Sequence, residues 1–208
     1  MKIHPAHLFV AASITVSPFA YGQTIPNPSF EEPAVPAEEA FMTPVSPGYA
    51  ELIPAIQWAF GMPAGICRQN LAYAEQLQAP DGAQVAFIQG DPSTDTGDFP
   101  VKSIMGVDVT GLEPGKRYEI SWQQTGRATD LGRCAISATL TASNFPSIVL
   151  FGREPVETKG AWTSKGAEFL APADTLRLNI QHAIIEPGNP DPGSESTLFD
   201  DFQIKAVD

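Results

Sequence analysis

The sequence predicts an all-β fold, a two-sheet antiparallel β-sandwich or jelly roll. Three observations predict it. Several runs alternate with a period of two: Tyr118, Ile120 and Trp122 against Glu119, Ser121 and Gln123, and Leu176, Leu178 and Ile180 against Arg177, Asn179 and Gln181. That is the pattern of strands with one buried face, as antiparallel sheets have. The 20 prolines and 17 glycines are spread along the chain, and long helical periodicity is absent. Turn-forming clusters separate the runs: Pro80-Asp81-Gly82, Glu113-Pro114-Gly115-Lys116, Pro172-Ala173-Asp174 and the stretch from Glu186 to Gly193.

The chain opens with a segment that reads as a secretory signal, residues 1–22. Lys2 supplies the positive start, Leu8–Val16 the short apolar stretch, and Ala20-Tyr21-Gly22 the small residues of a cleavage site. The apolar stretch is too short to span a bilayer, which takes about 20 residues, and His4-Pro5 and Pro18 interrupt a buried helix or strand. Residues 23–208 then form one domain; 22 removed from 208 leaves 186, enough for a single core. Lys2 is the only charge removed, so 12 basic residues become 11 against 24 acidic ones, a formal charge of −13. Such a surface repels nucleic acid and anionic lipid and suits a neutral partner or a cation. No later segment is long and apolar enough for membrane insertion, and the chain stops at Asp208. A released protein, secreted to the periplasm or the cell exterior, is expected.

Strands are expected in order at residues Ile56–Phe60, Gln84–Gln89, Ser103–Val109, Arg117–Gln124, Cys134–Thr141, Ser147–Phe151, Trp162–Phe169, Thr175–His182 and Thr197–Lys205. Their number and spacing suit a sandwich. Glu32–Pro54, rich in proline and glutamate, reads as a long loop. The two cysteines, Cys67 and Cys134, allow one intramolecular disulfide in an exported protein and make a zinc or redox centre unexpected.

Two β-like runs carry carboxylates beside apolar residues, Asn27-Pro28-Ser29-Phe30-Glu31 near the start and Ser196–Ile204 at the end. If the first and last strands lie side by side, these carboxylates share one cation. Alternation puts Asp200 on the face of Phe202 and Ile204. Asp91, Asp95 and Asp98 mimic a calcium loop only loosely, because the glycine falls one position late and no closing glutamate follows; they read as a solvated loop. Trp58 and Trp122 alternate with polar neighbours and read as core. Tyr49 and Tyr73 lie in loop-like sequence and are the aromatic candidates for a sugar ring. The mature chain's one histidine, His182, ends a strand, and no Gly-x-Ser-x-Gly elbow accompanies it. The acidic residues leave glycosidase carboxylates open as a competing class.

The order of segments resembles a known group. Asn27–Glu31, Trp58-Ala59-Phe60 with Ala64-Gly65-Ile66, Pro80–Gln89, Gly115–Trp122, Arg127 and Phe199-Asp200-Asp201-Phe202 look like bacterial exported proteins with a galactose-binding-like jelly roll. These are similar to family 4/9-type carbohydrate-binding modules and to plant cell-wall DUF642 proteins. The resemblance covers about residues 25–207. It implies a structural calcium held by Glu31 with Asp200 or Asp201, and a carbohydrate or cell-surface glycan as partner. It also implies that Arg127 occupies an arginine position, there either hydrogen-bonding a ligand or pairing with an internal carboxylate. A non-catalytic binding module is the leading expectation. A structural or adhesive envelope protein and a small glycoside hydrolase are the alternatives.

Overall fold

The structure is a computed structural model and describes residues 22–61, 63–69, 77–90, 104–186 and 195–207. Tyr73, the acidic run Asp91–Asp98 and residues 1–21, which make up most of the expected signal segment, lie outside the described residues. Within these, eleven strands and one helix are formed: β1 (Phe41–Met42), α1 (Tyr49–Ile56), β2 (Ala59–Phe60), β3 (Ala64–Arg68), β4 (Gln84–Gln89), β5 (Ile104–Val109), β6 (Arg117–Gly126), β7 (Arg133–Thr141), β8 (Ile148–Pro155), β9 (Thr163–Leu170), β10 (Leu176–Glu186) and β11 (Ser196–Ala206). They build two antiparallel sheets, one ordered β1-β3-β4-β11-β6-β9 and the other β2-β5-β10-β7-β8. From β4 onward the chain crosses between sheets at nearly every connection, and β11 closes the six-stranded sheet between β4 and β6. The sandwich therefore follows the jelly-roll pattern, one of the two arrangements that the strand number and spacing suit.

The core lies between the sheets. Tyr118, Ile120 and Trp122 of β6 face Leu176, Leu178 and Ile180 of β10 across it, all essentially buried. Phe30, Trp58, Trp122 and Phe202 pack ring on ring, with centroids 4.9 Å apart for Phe30–Trp58 and Trp58–Phe202 and 5.4 Å for Trp122–Phe202. Phe30 comes from the first described turn and Phe202 from the last strand, so this aromatic group ties the chain's beginning to its end. The indole of Trp58 donates to Pro26 O at 3.0 Å, giving its one polar group a partner.

Several expectations need correction. The run Asn27–Phe30 is a turn rather than a strand, because Asn27 (φ 45°) and Phe30 (φ 59°) are left-handed. The expected strand Ile56–Phe60 is the end of α1 followed by the short β2. In α1, Tyr49, Leu52, Ile53 and Ile56 fall at the i, i+3, i+4, i+7 positions of a helical face. The supposed loop Glu32–Pro54 thus contains both β1 and most of α1. Strand β3 was not foreseen at all. Its neighbour β1 passes so near Gly65 that a side chain there would overlap the Met42 carbonyl.

The cysteines are both free and buried. Cys67 packs with Val85, Phe87 and Leu198 on the outer side of the six-stranded sheet. Cys134 belongs to the core between the sheets and sits 3.4 Å from the Thr197 hydroxyl. Cys67, on β3, faces away from the core, and Cys134, on β7 of the other sheet, faces into it, so the disulfide permitted by the sequence is not formed. Burial raises both thiol pKa values, that of Cys134 to about 11, which leaves them inert.

Candidate functional site

Two regions carry the side chains of interest. The first is the junction of the chain's ends. Asp200 is fully buried, and its Oδ2 accepts the Asp81 backbone amide at 2.9 Å. Asp81 Oδ2 in turn accepts the Ser29 hydroxyl at 2.7 Å. Glu31 Oε1 accepts the amides of Ala83 and Gln84 at 2.8 and 2.9 Å. Phe202 donates its amide to Pro28 O at 3.0 Å. The Pro80–Gly82 turn is thereby clamped between the first turn and the last strand. Gly82 makes this fit possible: its φ is +70°, and a Cβ there would overlap the Glu31 carboxylate.

Asp200 is buried for a reason the alternation did not reveal. A bulge between Asp200 and Gln203, with Asp201 at φ 50°, shifts the register of β11 against β6. Phe199 pairs with Gln124 and Asp200 with Gln123, so Asp200 lies on the outer side of the sheet, opposite to Phe202. The Pro80–Gly82 turn covers it there. Burial pushes its carboxyl up to about 7, against two backbone hydrogen bonds that favour the ionised form. Its Oδ1 is buried without a hydrogen-bond partner. Asp201 is half-buried and accepts the Gln203 side-chain amide at 2.9 Å. Among the described residues no group of three or more acidic, histidine or cysteine side chains is placed to hold a metal ion. Asp81 was read only as a turn residue; nothing in a lone Pro-Asp-Gly signals that its amide caps Asp200.

The second region lies on the outer face of the five-stranded sheet. A cavity of about 420 Å3 opens where α1 and β2 meet this face, lined among others by Pro44, Tyr49, Ile53, Ala59, Phe60 and Arg177. Its apolar wall comes from α1, where Ile53 is 50% exposed. Tyr49 lines it too, but its ring is largely buried, and burial raises its hydroxyl pKa to about 12. Beside the wall the floor is polar. Arg177 Nη1 is 3.0 Å from Asp108 Oδ1, and Asn179 Nδ2 reaches Thr141 Oγ1 at 3.3 Å. None of the cavity's lining residues is acidic.

Arg127 does not reach this face. It starts the β6–β7 connection with its guanidinium 3.7 Å from buried Asp130, whose Oδ2 accepts the Ser196 amide. This links that connection to the start of β11. His182 is buried. The residues that sequence reasoning missed here are Arg177, Asn179 and Asp108; the alternation of β10 marks the first two as outward-facing but does not mark their face as a site.

No protein-family model matches the chain, and no curated protein does. Among solved structures it resembles a family 61 carbohydrate-binding module in complex with β-1,4-galactotriose, at 13% identity and a TM-score of 0.49, over 87% of this chain and 96% of that one. It also resembles the family 22 xylan-binding domain of Paenibacillus barcinonensis Xyn10C, at 17% identity and a TM-score of 0.49, over 74% and 87% of the two chains. A family 4 module is a further likeness, at 18% identity and a TM-score of 0.41, over 59% and 71%. These are likenesses of outline, at identities too low to carry a ligand from one chain to another. Among the described residues no helix is long and apolar enough to cross a membrane.

Proposed function

We propose that this protein is an exported, non-catalytic carbohydrate-binding module whose ligand lies on the outer face of the five-stranded sheet. The carrying observation is the cavity itself, where an apolar wall stands beside Arg177, with Asp108 and Asn179 adjoining that arginine outside the lining. A sugar offers the matching chemistry, with C–H faces for the wall and hydroxyls that both donate and accept. Export is supported by the charged start, short apolar stretch and small-residue cleavage site of residues 1–22. The non-catalytic reading is supported by the site's composition. Glycoside hydrolysis takes two carboxyl groups about 5–10 Å apart, and Asp108 stands beside the cavity already paired with Arg177. The mature chain's histidine is buried elsewhere.

Electrophoresis through gels containing xylan, glucomannan, galactan or mixed-linkage β-glucan tests the reading. At least one polysaccharide retards the wild-type protein. The double variant Arg177→Ala, Asn179→Ala weakens that retention about ten- to a hundredfold, the loss expected for hydrogen bonds involving a charged group. Equal retention of the variant moves the site elsewhere. Retardation by none of the four favours the structural or adhesive role.

The proposal includes a structural calcium at the terminal junction. Its support is the orphaned, buried Oδ1 of Asp200, an oxygen donor of the kind calcium takes. With few carboxylates at hand, the remaining donors there are backbone carbonyls and water. Glu31, committed to two amides, acts as the clamp on the Pro80–Gly82 turn, and Asp201 points its hydrogen bonding toward Gln203. When bound, the ion supplies positive charge to a buried carboxylate; Asp200 holds it.

A further inference from the structure

We infer that the α1 cavity is the blind end of a groove and takes the terminal one or two units of a neutral glycan; the inference rests on the carbohydrate reading above. The strand register sets one row directly across the outer face: Ala59 of β2, Gly106 of β5, Asn179 of β10, Thr139 of β7 and Val149 of β8. The row dips at Gly106. A Cβ there would lie 2.8 Å from Leu178 O, 3.1 Å from Asn179 Oδ1 and 3.2 Å from Arg177 Nε, so Arg177 and Asn179 occupy the space a larger residue would fill. These two side chains therefore lie low over β5, and the polar floor stays open above them.

The two ends of the row differ. At the β2 end α1 stands on the outer side, and its Ile53 closes the cavity that reaches back to Arg177. At the opposite end β8 is an edge strand, and Val149 is 65% exposed with no covering element among the described residues. A chain lying along the row runs out freely over β8 but stops at α1. The cavity's size, toward the low end of the range of small-molecule sites (roughly 300–1,000 Å3), suits roughly one or two sugar rings rather than a polymer passing through.

The floor also selects charge. Arg177 and Asp108, 3.0 Å apart, present a guanidinium that donates and a carboxylate that accepts. Adjacent hydroxyls of a neutral sugar satisfy both at once. A uronate must instead compete with Asp108 for Arg177, on a chain whose surface carries a large excess of acid.

Calorimetric titration of the full mature protein with xylo-, cello-, manno- and galacto-oligosaccharides of one to six units tests this. In the series that binds, affinity rises at least tenfold up to the disaccharide or trisaccharide and then changes less than about threefold. Partial hydrolysis of the matching polysaccharide, which multiplies ends, raises the capacity bound per gram. Ala59→Phe, which fills the cavity from an exposed position, weakens every length at least tenfold with an unchanged melting point; Val149→Ala at the open end leaves the short ligands unaffected. Affinity that keeps climbing to the hexasaccharide, or a polymer bound without regard to its number of ends, overturns the blind-end inference and leaves the binding module standing. Binding by none of the four series overturns the carbohydrate reading and this inference with it.

Discussion

Asp200→Asn will abolish the dependence of thermal unfolding on calcium. The wild-type protein is expected to gain stability when calcium is added to chelator-treated samples, because a ligand bound only by the native state stabilises it. The gain is about 2.7 kcal/mol at a hundred times the dissociation constant and about 4.1 kcal/mol at a thousand times. For a domain of this size that corresponds to a rise of roughly 5–15 °C in melting temperature. The variant shows no such rise. In chelator it is at least as stable as the wild type, since asparagine removes a buried carboxylate with an orphaned oxygen while keeping an acceptor for the Asp81 amide. Both halves matter. A variant that is merely destabilised in both conditions would mark Asp200 as structural without an ion. Identical wild-type midpoints with calcium and with chelator would remove the ion from the account.

His182→Leu will flatten the acid side of the stability profile. Burial holds the His182 pKa down to about 3, and neither ring nitrogen has a hydrogen-bond partner among the described residues. The folded-state value lies below the unfolded one, near 6.5, so the unfolded chain binds the proton first. Stability associated with the neutral imidazole is intact above about pH 6.5 and is lost as pH falls toward 3. At pH 4.5 the gap of about two pH units amounts to about 3 kcal/mol. Denaturant unfolding at pH 7 and pH 4.5 should therefore show a loss about 3 kcal/mol larger for the wild type than for the leucine variant. At pH 7 the variant should be no less stable than the wild type by more than about 1 kcal/mol, because an unpartnered polar group is exchanged for an apolar one of similar size. Equal acid losses in the two proteins would mean that the imidazole is not held neutral by its surroundings.

Much of the sandwich is legible in the sequence because its long strands bury one face only. The alternation in β6 and β10 marks their inward residues directly, and the expected span Gln84–Gln89 coincides with β4. Elements that fail this condition are the ones missed. In β3 four consecutive residues from Ala64 to Cys67 are buried, so no alternation remains to read. The apolar period of α1 is present at Tyr49, Leu52, Ile53 and Ile56, but Pro54 falls inside it and looks like a stop signal.

The sites were less legible, for the same kind of reason. Glu31 and Asp200 bind amides of one turn, Ala83 and Gln84 for the first and Asp81 for the second. Yet the face taken by Asp200 depends on one bulge at Asp201, and a period of two cannot register an extra residue. Tyr49 was chosen as a loop aromatic and lines the cavity, though with its ring largely buried. Arg177, Asn179 and Asp108 come together beside the cavity only once strand register sets β5 beside β10 and α1 folds over the edge. Each of the three is an ordinary outward-facing polar residue when read along the chain.

The most direct measurement is backbone amide NMR of the calcium-loaded protein, titrated with the oligosaccharide that gels and calorimetry identify. Shift changes confined to Ile53, Ala59, Gly106, Asp108, Arg177, Asn179 and their immediate neighbours place the glycan on the five-stranded face against α1, as proposed. Changes centred on the outer side of the six-stranded sheet, around Phe87 and Trp162, or at the β6–β7 connection near Arg127, with the α1 face silent, would contradict it.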